Sequence, residues 1–361
     1  MRRLPAPGRR IYMEDIDRVR EEALRILHKV LRNSGYSNIL LKNVGGRFTP
    51  LDRAFMTELV YGTIKYRLRI DYIIGKFSKL KLEKMSPYIL TILEMGIYQI
   101  SFMDRVPESA AVNESVKLAK KYGNVQSAGF VNGVLRNYCR RADAVSYPDR
   151  NKNPEKYFSV YYSYPEWLVK MIENDYGADF TEGFLRSGNE VPHVTVRVNR
   201  LKTSPSQLKD RLFGDGLATD DGPYLSDALT LKSSPGIENM DEWRQGLFTV
   251  QDVSSMLACR VLDPRPGELI MDLCSAPGTK STYIGELMEN SGTIISSDIN
   301  AGKLRLINAN ASRLGIDIIH TLGHDAAKPF HEYQGRADRV LLDVPCSGLG
   351  IMRKKPEIRY N

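Results

Sequence analysis

The sequence predicts a multidomain chain with an all-α domain, a small α+β module and a partial α/β sheet of parallel strands, in that order. Three observations lead there. From Glu14 to about Ala142, apolar side chains recur at three- and four-residue spacing without a strand signal. Val194–Val198 alternates as a strand between two helical stretches. From about Gly246, short apolar runs alternate with helical stretches, the rhythm of βαβ units. A length of 361 residues agrees, since one hydrophobic core seldom organises so long a chain.

The elements follow in order. Residues 1–12 carry Arg2, Arg3, Arg9 and Arg10 with no apolar run behind them, which reads as a basic flexible tail and not as a secretory signal. Residues 13–142 form the helical domain. Its apolar faces include Ala23, Leu24, Leu27, Val30 and Leu31, then Phe55, Leu59, Val60 and Ile64. Helices near Pro87–Phe102, Ala110–Tyr122 and Ser127–Cys139 follow, giving about five in all. Residues 143–165 turn polar and proline-bearing, then aromatic (Tyr157, Phe158, Tyr161, Tyr162, Tyr164), which reads as a linker. Residues 166–245 make the small module, with a helix around Pro165–Asp175, the strand Val194–Val198 and a helix at Ser204–Phe213. Residues 246–361 hold strands at Leu269–Leu273, Thr293–Asp298, Ile316–Leu322 and Arg339–Asp343.

Composition narrows the function. No run of about eighteen apolar residues is present to span a bilayer, so the reading is a cytoplasmic protein without a membrane partner, and a monomer is favoured. A formal charge of +8 favours a polyanionic partner, because clustered Lys and Arg displace counterions from a phosphate backbone. The four cysteines, at 139, 259, 274 and 346, form no CxxC pair and have no His cluster nearby, so reduced thiols and no metal site are expected.

Two loops carry the chemistry. The first strand runs into Cys274-Ser275-Ala276-Pro277-Gly278-Thr279-Lys280 before a helix begins, which exposes backbone N–H groups to a ligand. The loop lacks the glycine spacing of a triphosphate-binding loop, and a tight turn without ligand would also use these residues. Asp298 closes the second strand, where a carboxylate can take both ribose hydroxyls; a helix cap is the plainer role. Asp325 follows the third strand and can accept from an adenine amino group, although an Asx turn accounts for it equally well. Asp343-Val344-Pro345-Cys346-Ser347-Gly348 places an acid and a thiol at the end of the fourth strand, facing the same crevice.

This last segment, taken with Cys274–Lys280, resembles the signature pair of the RsmB (Sun) family of RNA cytosine-5 methyltransferases. Gly246–Ser255 resembles the family's lead-in to its first strand. Val106–Val116 and Gly129–Asn137 resemble the NusB-like domain fused to these enzymes, so the resemblance covers nearly the whole chain. It implies a NusB-like RNA-binding domain, a Rossmann-like methyltransferase sheet, S-adenosylmethionine as cofactor and small-subunit (16S) ribosomal RNA with an unstacked cytosine as partner. Cys274, Ser275, Ala276, Pro277, Gly278, Thr279, Lys280, Asp298, Asp325 and Asp343 would bind the cofactor, and Asp343 would also meet the cytosine.

Carbon 5 of cytosine is a poor nucleophile until a thiolate adds to carbon 6. In the family, a cysteine of a Thr-Cys pair attacks, and the cysteine of the Pro-Cys pair, here Cys346, assists product release. No Thr-Cys pair occurs in the 361 residues, so the expectation is a truncated chain that binds the cofactor without methylating and leaves an apolar sheet edge at Arg339–Asp343. Thr279 stands where the family usually has glycine, a strain if that position needs a positive φ. The alternative from another class is a non-catalytic, antitermination-type RNA-binding factor with a vestigial methyltransferase domain. Methylation of DNA or protein fits the motifs less well.

Overall fold

A computed structural model describes residues 16–33, 35–233 and 236–360, so the expected basic tail at 1–12 lies outside the described residues. The chain divides into two compact units, one of residues 1–191 with 348–361 and the other of residues 192–347.

The first unit is helical. It holds α1 (Arg18–Asn33), α2 (Ser37–Gly45), α3 (Pro50–Lys65), α4 (Arg67–Phe77), α5 (Pro87–Phe102), α6 (Glu108–Tyr122) and α7 (Val125–Arg141). Among the described residues these are seven helices where periodicity suggested about five. In α2 only Ser37 and Val44 are buried, and α3 is separated from α4 by Tyr66 alone, so neither break leaves a periodic signal. Local chemistry sets the starts: the Thr49 side chain accepts from Asp52 N–H ahead of Pro50, and Asn124 accepts from Ser127 N–H ahead of α7. Helix α5 buries Ile89, Ile92, Leu93, Met95 and Ile97 around its circumference and is the axis on which the others pack. Gly62 makes this possible, because a Cβ there would fall 1.9 Å from Cζ of the Tyr98 ring on α5.

The segment expected as a linker contains a helix, α8 (Pro154–Tyr162), capped by Asn153. It packs with α9 (Glu166–Tyr176) and α10 (Ala178–Ser187) around Phe158, Tyr164, Leu168, Val169, Ile172 and Leu185. Residues 348–360 return to this unit. Met352 joins the same cluster, and the nearly buried Arg359 guanidinium donates to Tyr164 Oη (2.7 Å), Asn189 Oδ1 (2.9 Å) and Gly188 O (3.0 Å). Among the described residues no helix is long and apolar enough to cross a membrane.

The second unit has two sheets. β1 (Val194–Val198), α11 (Pro205–Gly214), β2 (Thr219–Asp221), β3 (Ala228–Leu231), α12 (Asp241–Arg244) and β4 (Phe248–Val250) form an antiparallel sheet of order β2-β3-β1-β4. The βαββαβ sequence is the ferredoxin-like arrangement. Its core is Val196, Val198, Leu208, Leu212, Leu229, Leu231 and Phe248. Phe248–Val250, in the stretch read as a lead-in, pairs with β1.

α13 (Val253–Leu262) then leads to β5 (Leu269–Asp272), α14 (Thr279–Leu287), β6 (Thr293–Asp298), α15 (Ala301–Leu314), β7 (Ile319–Gly323) and β8 (Arg339–Leu341). The strands are parallel in the order β7-β6-β5-β8, a partial Rossmann-like sheet. The last strand ends at Leu341, two residues earlier than expected, because Leu342 and Asp343 make no ladder contact with β5. Val340, Leu342 and Val344 are exposed at this edge.

Candidate functional site

The chain order reverses between β5 and β8: from β5 the chain moves outward through β6 and β7, then crosses back to β8 on the other side. Loops that leave the carboxyl ends of two such strands diverge and open a crevice, the usual ligand position in open α/β sheets. Cys274–Lys280 leaves β5 there, and Asp343–Ser347 leaves β8.

The β5 loop is held tightly. Ser275 N–H and Oγ both donate to Ser297 O on β6, at 2.8 and 3.0 Å. The Ala276–Pro277 peptide is cis, and Asn310 of α15 donates to Pro277 O at 2.9 Å. Gly278 has φ +94°, and a Cβ there would press on Ile307 at 3.0 Å. Thr279 begins α14 in ordinary helical conformation, so the residue that needs glycine is 278 and the Thr279 departure brings no backbone strain.

The charges converge on this loop. Lys280 forms an ion pair with Asp343 across the crevice. Asp272 is buried at the end of β5, where Oδ2 accepts from Ser281 Oγ at 2.6 Å while Oδ1 has no partner. Burial pushes the Asp272 carboxyl up to about 6, against the opposing pull of Ser281 and Lys280. Asp298 is nearly buried at the end of β6, accepts from Asn300 N–H at 2.9 Å and lies 3.9 Å from Lys303. The Cys274 thiol is raised by burial and by the nearby carboxylates of Asp298, Asp272 and Asp343.

The structure therefore gathers Cys274–Lys280, Asp298 and Asp343 with Asp272, an acid the sequence reading passed over. Asp325 sits beyond β7 in an Asx turn, accepting from Ala327 N–H at 3.1 Å; His324 N–H donates to Asp298 O at 3.3 Å and sets the two strand ends side by side. Cys346 is exposed on the β8 loop, and among the described residues no hydrogen bond or ion pair ties it to the cluster. The other thiols differ: burial pushes Cys259 up to about 12 and Cys139 up to about 11. Among the described residues no group of His, Cys, Asp and Glu could hold a metal ion.

Arg197, the second residue that sequence reasoning missed, reaches this loop from the antiparallel sheet. It is fully buried on β1 and donates to Thr279 O (2.8 Å), Thr282 Oγ1 (3.1 Å) and Glu286 Oε1 (2.9 Å) of α14 and to Gln251, with its guanidinium over the Tyr283 ring. Its one sequence signal was a lone charge inside the alternating strand Val194–Val198.

Fold and loops together define an α/β methyltransferase carrying a helical domain and a ferredoxin-like module. Residues 17–140 match the NusB family, residues 164–238 the ferredoxin-like domain of RsmF/B-like methyltransferases, and residues 259–361 the 16S rRNA methyltransferase RsmB/F family. The probable ribosomal RNA small subunit methyltransferase B of Bacillus subtilis (strain 168) is 37% identical over 95% of this chain and 76% of its own. Its counterpart in Synechocystis is 34% identical over 94% and 77%. The crystal structure of PH0851 superposes with a TM-score of 0.72 at 25% identity, covering 94% of this chain and 77% of that one. The chain belongs to the ribosomal RNA small subunit methyltransferase B family.

Proposed function

We propose that this protein transfers the methyl group of S-adenosylmethionine to carbon 5 of a cytosine in small-subunit (16S) ribosomal RNA. The observation that carries the reading is the ion pair of Lys280 with Asp343, which joins the β5 and β8 loops at the strand-order reversal. One loop offers a close-packed cradle and the other an acid and a thiol.

The residues fit the cofactor. Asp272 keeps a buried carboxylate oxygen without a partner, and three carboxylates surround Cys274, a field suited to a cationic sulfonium compound. When bound, S-adenosylmethionine supplies an electrophilic methyl group. Asp298 would take the ribose hydroxyls, Asp325 the adenine amino group, and the Cys274–Lys280 backbone would enclose the remainder.

Asp343, oriented by Lys280, meets the N3 and amino edge of an unstacked cytosine. A thiolate adding to carbon 6 pushes the carbon 5–carbon 6 electron pair onto carbon 5, which becomes nucleophilic. After methylation, loss of the carbon 5 proton restores the double bond and expels the thiolate, the stage assigned to Cys346. The attacking thiol is that of a Thr-Cys pair in the family, and residues 1–361 contain no such pair. The helical domain contributes RNA binding.

Labelled S-adenosylmethionine and unmodified small-subunit RNA test this. The protein is expected to place label on cytosine carbon 5, and Cys346→Ala to accumulate a denaturation-resistant protein–RNA adduct. Label on any other atom would overturn the assignment.

A further inference from the structure

The Val106–Val116 segment takes no part in methyl transfer, yet it begins beside a cleft. This cleft of the first unit, about 690 Å³ and within the range of ligand clefts, lies between α3 and the turn from α5 to α6. Leu51 and Phe55 form the α3 wall. Phe102, Met103, Val106 and Pro107 form the other. The second wall is fixed by its backbone: Val106 N–H donates to Met103 O at 2.8 Å, and Pro107 leads into α6, its carbonyl accepting from Ala110 N–H at 2.9 Å. Leu51 is 80% exposed, a large apolar side chain left in water at the rim.

The charge of the cleft is negative. Its inner cation, Arg20, is neutralised: Nη1 lies 2.7 Å from Asp17 Oδ2, Nε donates to Gln99 Oε1 at 2.7 Å, and the guanidinium covers the Phe55 ring. The lining acids Asp52, Glu58 and Asp104 form no ion pair among the described residues, and Arg105 is the one lining cation without a counter-charge there. Three unpaired carboxylates against one cation run counter to the +8 of the whole chain. Such a rim repels the phosphates of RNA or of an anionic lipid surface, and a neutral apolar ligand would leave its carboxylates unmatched. A polypeptide segment with lysine or arginine beside an apolar side chain satisfies both the walls and the rim.

We infer that the cleft between α3 and the α5–α6 turn is a docking site for a basic polypeptide segment of a partner protein. The segment's apolar side chain sits between the Leu51–Phe55 and Met103–Val106 walls, and its cations meet Asp52, Glu58 and Asp104.

The fluorescence anisotropy of a fluorescein-labelled Lys-Arg-Leu-Lys-Arg-Leu peptide, titrated with the 361-residue chain, tests it. Saturable binding is expected, and none when glutamate replaces the four basic residues. Glu58→Lys and Asp104→Lys, at exposed positions where folding is not at risk, should each weaken binding about fivefold. Leu51→Ser should weaken it by a similar factor, through lost apolar contact. Asp179→Lys, which reverses an exposed acid of α10 outside the cleft, should leave it unchanged. A wild-type chain that does not bind, or wild-type affinity in both Glu58→Lys and Asp104→Lys, would overturn the site. An equal loss in Asp179→Lys would mean attraction to acidic surface at large and would overturn it too. Binding that requires removal of residues 1–12 would reassign the cleft to the chain's own basic terminus, and self-association abolished by Glu58→Lys would reassign it to a second copy.

Discussion

Asp272 shows how one buried acid couples stability to pH. Its carboxyl titrates near 3.8 when exposed and at about 6 in the fold, so between these values the folded state holds the extra proton. Stability from this group therefore falls as pH rises through that window, and above it the cost of the buried charge is fully present. Asp272→Asn removes the charge and keeps the shape. Thermal unfolding should show a variant-minus-wild-type gap in Tm that widens from pH 4 to about 7 and is flat beyond; a gap independent of pH would sink the account. The variant should also bind S-adenosylmethionine less tightly, because a cationic ligand loses a carboxylate. The strand end was readable from the sequence, but the burial that sets this titration was not.

At the scale of elements, the tie between β1 and α14 is the decisive one. Arg197 and Glu286 are both buried, and removing one member leaves the other without counter-charge. Burial, with the nearby Asp227 carboxylate adding to it, pushes the Glu286 carboxyl up to about 7 even beside Arg197. Arg197→Ala should cost about 3–5 kcal/mol by chemical denaturation. It should also weaken S-adenosylmethionine binding, since Thr279 O at the start of α14 loses its donor. Unchanged cofactor affinity in a folded Arg197→Ala protein would show that the ferredoxin-like sheet does not position the loop. The long helices α5, α6 and α7 were readable within a residue or two. The three-residue strands β2 and β4 were not, because so short an element carries no period and exists only through its partners.

At the scale of the whole molecule, the first unit is closed by residues far apart in the chain. Arg359 donates to Ser163 O, Lys65 O and Asn189 Oδ1, and Glu357 Oε1 accepts from Ser37 Oγ at 2.7 Å. Arg359→Ala leaves several buried acceptors without a donor, so it should destabilise the first unit by about 3 kcal/mol or more. Hydrogen exchange should quicken in peptides around Lys65, Ser163 and Gly188, with peptides from β5 and β6 unaffected. Equal quickening in both would mean that the two units unfold as one.

The sequence by itself determined the order of all-α, α+β and α/β regions, the two chemical loops at strand ends and the family. Helical period, parallel-strand rhythm and loop residues are local properties that survive without neighbours. Tertiary structure alone decided which charges share a site. It brought Arg197 from β1 to Thr279 O at the end of the β5 loop, left Asp272 buried with one oxygen unpartnered, and shifted the demand for glycine from Thr279 to Gly278. It also turned a linker into a helix whose tyrosines enclose Arg69, and returned residues 348–360 to the first unit. These outcomes depend on burial and on partners distant in the chain, and no local pattern encodes either.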